Sequence, residues 1–145
     1  MRAPFGNLFR DRVPMNQEVN SEIDAVISFP ECGVELTCLI RQVKDDIFRI
    51  CEHPTFVEDQ VAYGDCARML KIDDQNYEFQ EITSKSGLNF VQYFINDEIF
   101  LEIAGILDKT QRSKGYWQRD FGGILSLYFD AEIFDPRSDL ETLFK

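Results

Sequence analysis

The sequence predicts an α+β protein: an antiparallel, β-rich barrel or sandwich-like N-terminal part, followed by a β-α-β-β-α C-terminal part. Three observations predict it. Between residues 22 and 95, short runs of strand-forming residues recur about every ten positions with turn-forming clusters between them, the spacing of a small sandwich or barrel. The 145 residues include 13 Phe, 5 Tyr and 1 Trp, and aromatic side chains suit a pleated, half-buried surface. From residue 96 the apolar period lengthens from two to that of a helix.

Residues 1–20 (MRAPFGNLFRDRVPMNQEVN) hold two prolines and no sustained period. They read as a mobile arm, with Phe5, Leu8 and Phe9 able to dock on the body. Residues 22–29 form a first strand, and Pro30, Glu31, Cys32 and Gly33 a turn. In the second strand, 34–41, Val34, Leu36, Cys38 and Ile40 share one face. Lys44, Asp45 and Asp46 turn the chain into a third strand, 47–51. The longest irregular stretch follows, 52–65. Strands are then expected over 66–72, 77–82 (with Tyr77, Phe79 and Glu81 on one side) and 88–95.

Asn96 fits a helix N-cap, with Asp97 and Glu98 in the first turn, where the helix dipole favours them. Ile99, Phe100, Ile103, Ile106 and Leu107 recur at helical spacing through about residue 109. Lys109, Arg112 and Lys114 suit its C-terminus, and Gly115 its end. Strands over 116–121 and 124–133 are split by Gly122-Gly123, a hairpin turn or bulge. Past Pro136, Ser138 and Glu141 have the capping-box spacing of a short terminal helix. The expected organisation is a single domain over 21–145, its β-rich part 21–95 and its smaller α/β part about 88–145.

Lys and Arg number 15 against 26 Asp and Glu, a net charge of −11. Residues 1–20 contribute +1, so the remainder carries −12. Such a body repels phosphate backbones, which excludes nucleic-acid binding through charge. It would instead steer a basic partner inward. No run of eighteen apolar residues predicts a membrane span, and the N-terminus lacks the apolar core of a secretory signal. A chain of this length needs no disulfide staple, so Cys32, Cys38, Cys51 and Cys66 read as reduced thiols of a cytoplasmic protein.

Two segments, FRICEHPTFVEDQVAYGDCARM and YEFQEITSKSGLNFVQYFI, carry a resemblance. Together with the helix near 97–109 and Pro136, the chain over about 34–145 resembles an uncharacterised bacterial family, domain of unknown function 4265. The matching positions are Pro54 and Phe56, Tyr63-Gly64-Asp65, and Ser86-Gly87. Two positions depart from the family pattern: Thr55 separates Pro54 from Phe56, and Asn89 stands where many members carry His. The resemblance implies a bacterial source and a β-rich architecture, and implies no activity.

Candidate catalytic residues are Cys51, His53 and Cys66. Cys51-x-His53 on one strand end would point both side chains the same way, with Cys66 approaching across a hairpin. Zinc needs three or four converging N/S ligands, and the chain has no Cys-x-x-Cys. A thiol nucleophile would have to use His53, the one histidine. The bland alternative is a packed thiol beside a loop imidazole. Tyr63 and Asp65 are candidate ligand- or partner-binding residues, or a turn into the next strand held by Asp65. Trp117 and Arg119 are candidate partner anchors, or a core Trp beside an ion pair. The acidic pairs Asp45-Asp46, Glu58-Asp59 and Asp73-Asp74 lack EF-hand spacing and read as solvated turns. No metal or cofactor is expected.

The functional expectation is a non-enzymatic protein-interaction module with an acidic surface. Its sharper form is an immunity-type inhibitor of a basic toxin. The alternative is a small-ligand-binding protein or an enzyme that uses the Cys51/His53/Cys66 loop, with a concave pocket lined by His53, Asp65 and Cys66.

Overall fold

The computed structural model describes residues 10–12 and 22–144. Arg10–Arg12 form a short strand, β1. The rest of the expected mobile arm lies outside the described residues. The chain divides into two compact units at Ser86–Gly87, with β1 belonging to the second.

The first unit is a closed barrel of five strands: β2 (Glu22–Phe29), β3 (Val34–Lys44), β4 (Ile47–Ile50), β5 (Cys66–Lys71) and β6 (Asn76–Ser84). Sequential strands pair antiparallel. The ring is closed by a parallel pairing, Val26↔Asn76 to Ser28↔Glu78. Alternate residues point inward, so Ala25, Ile27, Phe29, Cys38, Ile40, Phe48, Ile50 and Met69 fill the interior. On β6 the expected face does not form: Tyr77 is buried and Phe79 packs on the core, yet Glu81 is exposed and Ile82 packs inward. Residues three apart cannot share one face of a regular strand. The register shift opposite Arg68/Met69, where Arg68 pairs with Glu81 and Met69 with Phe79, accommodates the change of phase.

In the second unit, β7 (Asn89–Phe94) leads into α1 (Asp97–Glu102), α2 (Ala104–Arg112), β8 (Tyr116–Asp120), β9 (Ile124–Phe129) and α3 (Arg137–Leu143). The sheet order is β1-β8-β9-β7. The strand that the sequence reading shared between the two parts therefore pairs with β9 in this unit. Ile95, Ile103, Leu107, Leu125, Leu127 and Leu140 form its core. In the β1/β8 register, Arg10 stands opposite Asp120 and Asp11 opposite Arg119. Two of the three cross-strand positions thus put residue types of opposite charge in register, and the third sets Arg12 opposite Gln118.

Asn96 caps α1 as expected, its side-chain oxygen accepting from the Ile99 amide at 2.8 Å. The single helix expected over 97–109 is instead two, interrupted at the fully buried Ile103, whose φ of −95° and ψ of 8° leave the helical range. Gly115 follows the helix but is not its left-handed residue: Lys114 takes that conformation, at φ 66°. Gly115 is needed for space, since a Cβ there would stand 2.7 Å from the carbonyl oxygens of Thr110 and Tyr128. The strand expected over 124–133 ends at Phe129, where Asp130 starts a turn and its carbonyl accepts from the amides of Ile133 and Phe134. The Ser138–Glu141 capping box does not form. Pro136 stands at the N-cap of α3 without a side-chain cap, and Glu141 accepts a hydrogen bond from the Tyr93 hydroxyl instead. Among the described residues, no helix is long and apolar enough to cross a membrane.

Candidate functional site

The loop between β4 and β5 starts as an extension of the sheet. The Cys51 amide donates to the Leu39 carbonyl, and the Glu52 carboxylate then accepts from the Leu39 amide at 2.7 Å, so a side chain continues the ladder. Cys51, Glu52, His53 and Pro54 are all buried in succession. That breaks the period-two alternation on which a shared Cys51/His53 direction depended. Val57 and Val61 then pack into the barrel core, so this loop plugs the barrel end from which β4 leaves.

Asp65 closes the loop. Its carboxylate accepts from the amides of Ala62 (3.0 Å) and Ser86 (2.8 Å), while its own carbonyl accepts from Ile50. Gly64, at φ 86°, supplies the left-handed step beside it, and its amide donates to the Ile50 carbonyl. Tyr63 is half-buried. Burial first, and the neighbouring Cys51 second, push its hydroxyl above the usual tyrosine range. Tyr63-Gly64-Asp65 is thus a turn held from three sides.

The candidate nucleophiles are placed differently from the catalytic expectation. Burial, reinforced by Glu22, pushes the Cys51 thiol up to about 12 despite the opposing pull of Arg41 and Arg49. It is therefore protonated at neutral pH, and a thiol is a poor nucleophile. Its sulfur faces the Arg49 carbonyl at 3.5 Å. The His53 Nε2 lies 3.6 Å from the Glu58 carboxylate. Cys66 stands in β5 opposite Arg49, half-buried. Among the described residues, no three His, Cys, Asp or Glu side chains converge in a metal-binding group. The two cavities described below are lined by none of Cys51, His53, Asp65 and Cys66.

The plug presents outward a family-matching position, Phe56, and an acidic pair expected as a solvated turn, Glu58-Asp59, none of which was among the candidate site residues. Phe56 sits at φ 81°, in the region that favours glycine, with its side chain 70% exposed. Glu58 and Asp59, also exposed, follow directly. A bulky residue held left-handed costs about 1–2 kcal/mol and persists only where its surroundings impose it. Here the imposition comes from its two anchored flanks, Pro54 and Val57, which are buried and joined by a 3.2 Å hydrogen bond. The motif that carries the family resemblance contains Phe56, but no local pattern announces a positive φ for phenylalanine.

Among the described residues, the opposite barrel end holds a cleft rather than a plug. The ends of β3 and β5 and the starts of β2, β4 and β6 surround a cleft of about 420 Å³. Phe48, Met69 and Tyr77 form its floor, and Asp45, Asp46, Arg68 and Lys71 stand at its rim. A smaller cavity, of about 260 Å³, lies beside Phe29, Gln60 and Phe79.

In the second unit, Trp117 and Arg119 face α1. The Trp117 ring meets Phe100 edge-on at 5.7 Å between centroids. Arg119, 8% exposed, donates to the Gly122 carbonyl, pairs with Asp97 and lies 4.2 Å over the Phe100 ring. It clamps the start of α1 to the β8–β9 turn. The other face of β8 carries a buried relay: Tyr116 donates to Gln118 at 2.7 Å, and Gln118 to both oxygens of Asp120. Phe121, exposed and at φ 55°, opens the turn; with Gly122 at φ 75° it gives two successive left-handed residues where Gly122-Gly123 was expected.

Comparison with known proteins adds the family. The model described as "Domain of unknown function (DUF4265)" matches residues 37–117, from β3 to the start of β8. No curated protein matches the chain. A solved structure described as "Novel crystal structure of a hypothetical protein from Neisseria gonorrhoeae" is similar at a TM-score of 0.49 and 17% identity, covering 88% of this chain and 86% of that one. The family match spans more than half of the sequence, and the chain belongs to that family of unknown function.

Proposed function

We propose that this family member is a non-enzymatic protein-interaction module of the bacterial cytoplasm that docks a basic partner on the plug of its barrel. The observation that carries the reading is Phe56, a strained aromatic side chain 70% exposed, followed in the chain by the exposed Glu58 and Asp59 on a loop anchored in the core. Aromatic anchors dominate binding energy at interfaces. A cation of the partner gains both from the ring face and from the two carboxylates. Because Val57, Val61 and Asp65 fix the loop beforehand, little ordering entropy is lost on binding.

Charge supports the same reading. Residues 22–86 hold 14 Asp and Glu against 6 Lys and Arg, a balance of −8. A body of that charge accelerates encounter with a basic protein. An immunity-type inhibitor of a basic toxin is the sharpest form of the proposal. The alternative, a ligand or catalytic site at Cys51, His53 and Cys66, has less support: the Cys51 thiol is held protonated, and the described cavities lie elsewhere.

Capture from a lysate of the native host, run side by side with the full chain and with Phe56→Ala and Glu58→Gln/Asp59→Asn variants, tests the reading. The expected result is a protein rich in Lys and Arg that salt elutes, and that Phe56→Ala releases at a cost of about 2 kcal/mol. Capture of nothing, or capture indifferent to these substitutions and to salt, overturns it.

A further inference from the structure

We propose that the cleft end of the barrel binds a small zwitterion with an apolar body, of amino-acid to dipeptide size. This goes beyond the docking reading and rests on different residues. The cleft volume of about 420 Å³ falls in the range of small-molecule sites, roughly 300–1,000 Å³. Such sites combine an apolar floor with a few placed polar groups, and the barrel mouth has both.

The floor is built by strand alternation. Phe48 and Tyr77 meet edge-on at 5.1 Å between centroids, both buried, beside Met69. Each is almost fully buried and offers only its edge, so Ile23 and Leu70, which also line the cleft, complete the apolar contact for an aliphatic or aromatic group. Lys71 continues the inward phase of Ala67 and Met69 along β5. Its stem therefore lies along the cleft while its ammonium reaches the rim.

The rim charges divide into engaged and available. Arg68 is held by Asp46, at 3.3 Å, and by Glu81. Lys71 has only a 3.7 Å contact to the fully exposed Asp74, a pairing of little value in water. Asp45 stands in the β3–β4 turn at φ 50°, its backbone carbonyl taken by the Gln42 amide and its carboxylate exposed. An ammonium group at Asp45, a carboxylate at Lys71 and an apolar body over Phe48 and Tyr77 would answer each of these features. A dianion would meet Asp45 and Asp46, and a dication would meet Lys71 and Arg68, so charge of both signs selects against either.

Amide-resolved NMR titration of the full chain tests the site with L-phenylalanine and glycyl-L-phenylalanine. Each probe is paired with its N-acetyl and C-amide derivatives, which lack one charge. The expected result is saturable shifts at Phe48, Met69 and Tyr77 below about 10 mM probe, with each derivative at least about five-fold weaker. Asp45→Asn, which keeps the left-handed turn accessible, should abolish the advantage of the free amine alone. Lys71→Met should abolish that of the free carboxylate alone. No shift from any probe, shifts away from the mouth, or derivatives that bind equally well overturn the inference. None of these outcomes bears on Phe56, so the two proposals fail separately.

Discussion

In the barrel every strand has two neighbours, because β2 and β6 close the ring; in the second unit the sheet stays open, with β1 and β7 at its edges. Unpaired edges invite unwanted pairing and have to be managed. Closure removes them without help from side chains, which leaves the barrel exterior free to carry an excess of carboxylates. The open sheet depends on helices to build a core on one face, and its charges are used internally. Arg119 ties Asp97 to the β8–β9 turn, Arg112 pairs with Asp108, and Arg137 with Asp135. The balance over 87–145 is 10 Asp and Glu against 6 Lys and Arg, or −4, half that of the barrel. Both units pair some charges, Arg68 with Asp46 and Glu81 in the barrel among them, but backbone closure and side-chain clamping are two routes to a stable sheet, and the unit that closes carries the larger surplus of carboxylates.

The largest effect expected from this contrast is in the barrel interior. Ile40 is fully buried, and Ile40→Ala should cost about 2–5 kcal/mol in urea unfolding. A loss under about 1 kcal/mol would mean that the ring closes around a loose interior. Next comes the tightest approach in the second unit. Gly115→Ala drives a methyl into the backbone oxygens of Thr110 and Tyr128, and should cost about 1–3 kcal/mol. A neutral outcome by thermal melting would show that α2 can shift against β9 without penalty.

The smallest effect concerns pH. Burial, then the hydrogen bond to Glu141 and the charge of that carboxylate, push the Tyr93 hydroxyl up to about 12 from its ordinary 10. Its folded value lies above its unfolded one, so the neutral hydroxyl is what the fold favours. That contribution is whole below pH 10 and is lost as the pH climbs from 10 to about 12. Tyrosinate absorbance should therefore lose one late-titrating group in Tyr93→Phe, while Tyr63, also pushed up by burial, keeps titrating late. An unchanged titration curve in that variant would remove the contact with Glu141 from the account.

Much of the fold was legible because it rests on local chemistry. Pro30 to Gly33, Asp73 to Asn76 and Asn96 mark their turns and caps by residue type, and the structure uses them so, except that Asn76 already starts β6; Asp73, for one, accepts from the Gln75 and Asn76 amides. The misses share a cause. Ile82 replacing Glu81 on the core face, the break at Ile103 and the empty capping box at Ser138 were each decided by packing between distant segments, which no window of sequence contains. At the site, the family motif drew notice to 51–66, but Cys51 and His53 read as chemistry only while their burial was unknown. The mouth was invisible for the opposite reason: Phe48, Met69, Lys71 and Tyr77 form no motif until the ring brings them together.

The parallel seam that closes the ring carries a kinetic consequence. Its partners are far apart in the chain: the Ser28 hydroxyl donates to the Tyr77 carbonyl 49 positions later. During synthesis β2 must wait for nearly the whole barrel sequence to emerge before its second neighbour exists. Contacts of such long range slow folding and leave a nascent edge exposed to aggregation. The acidic and polar turns that interrupt these strands would then protect the growing chain as well as serve the finished one.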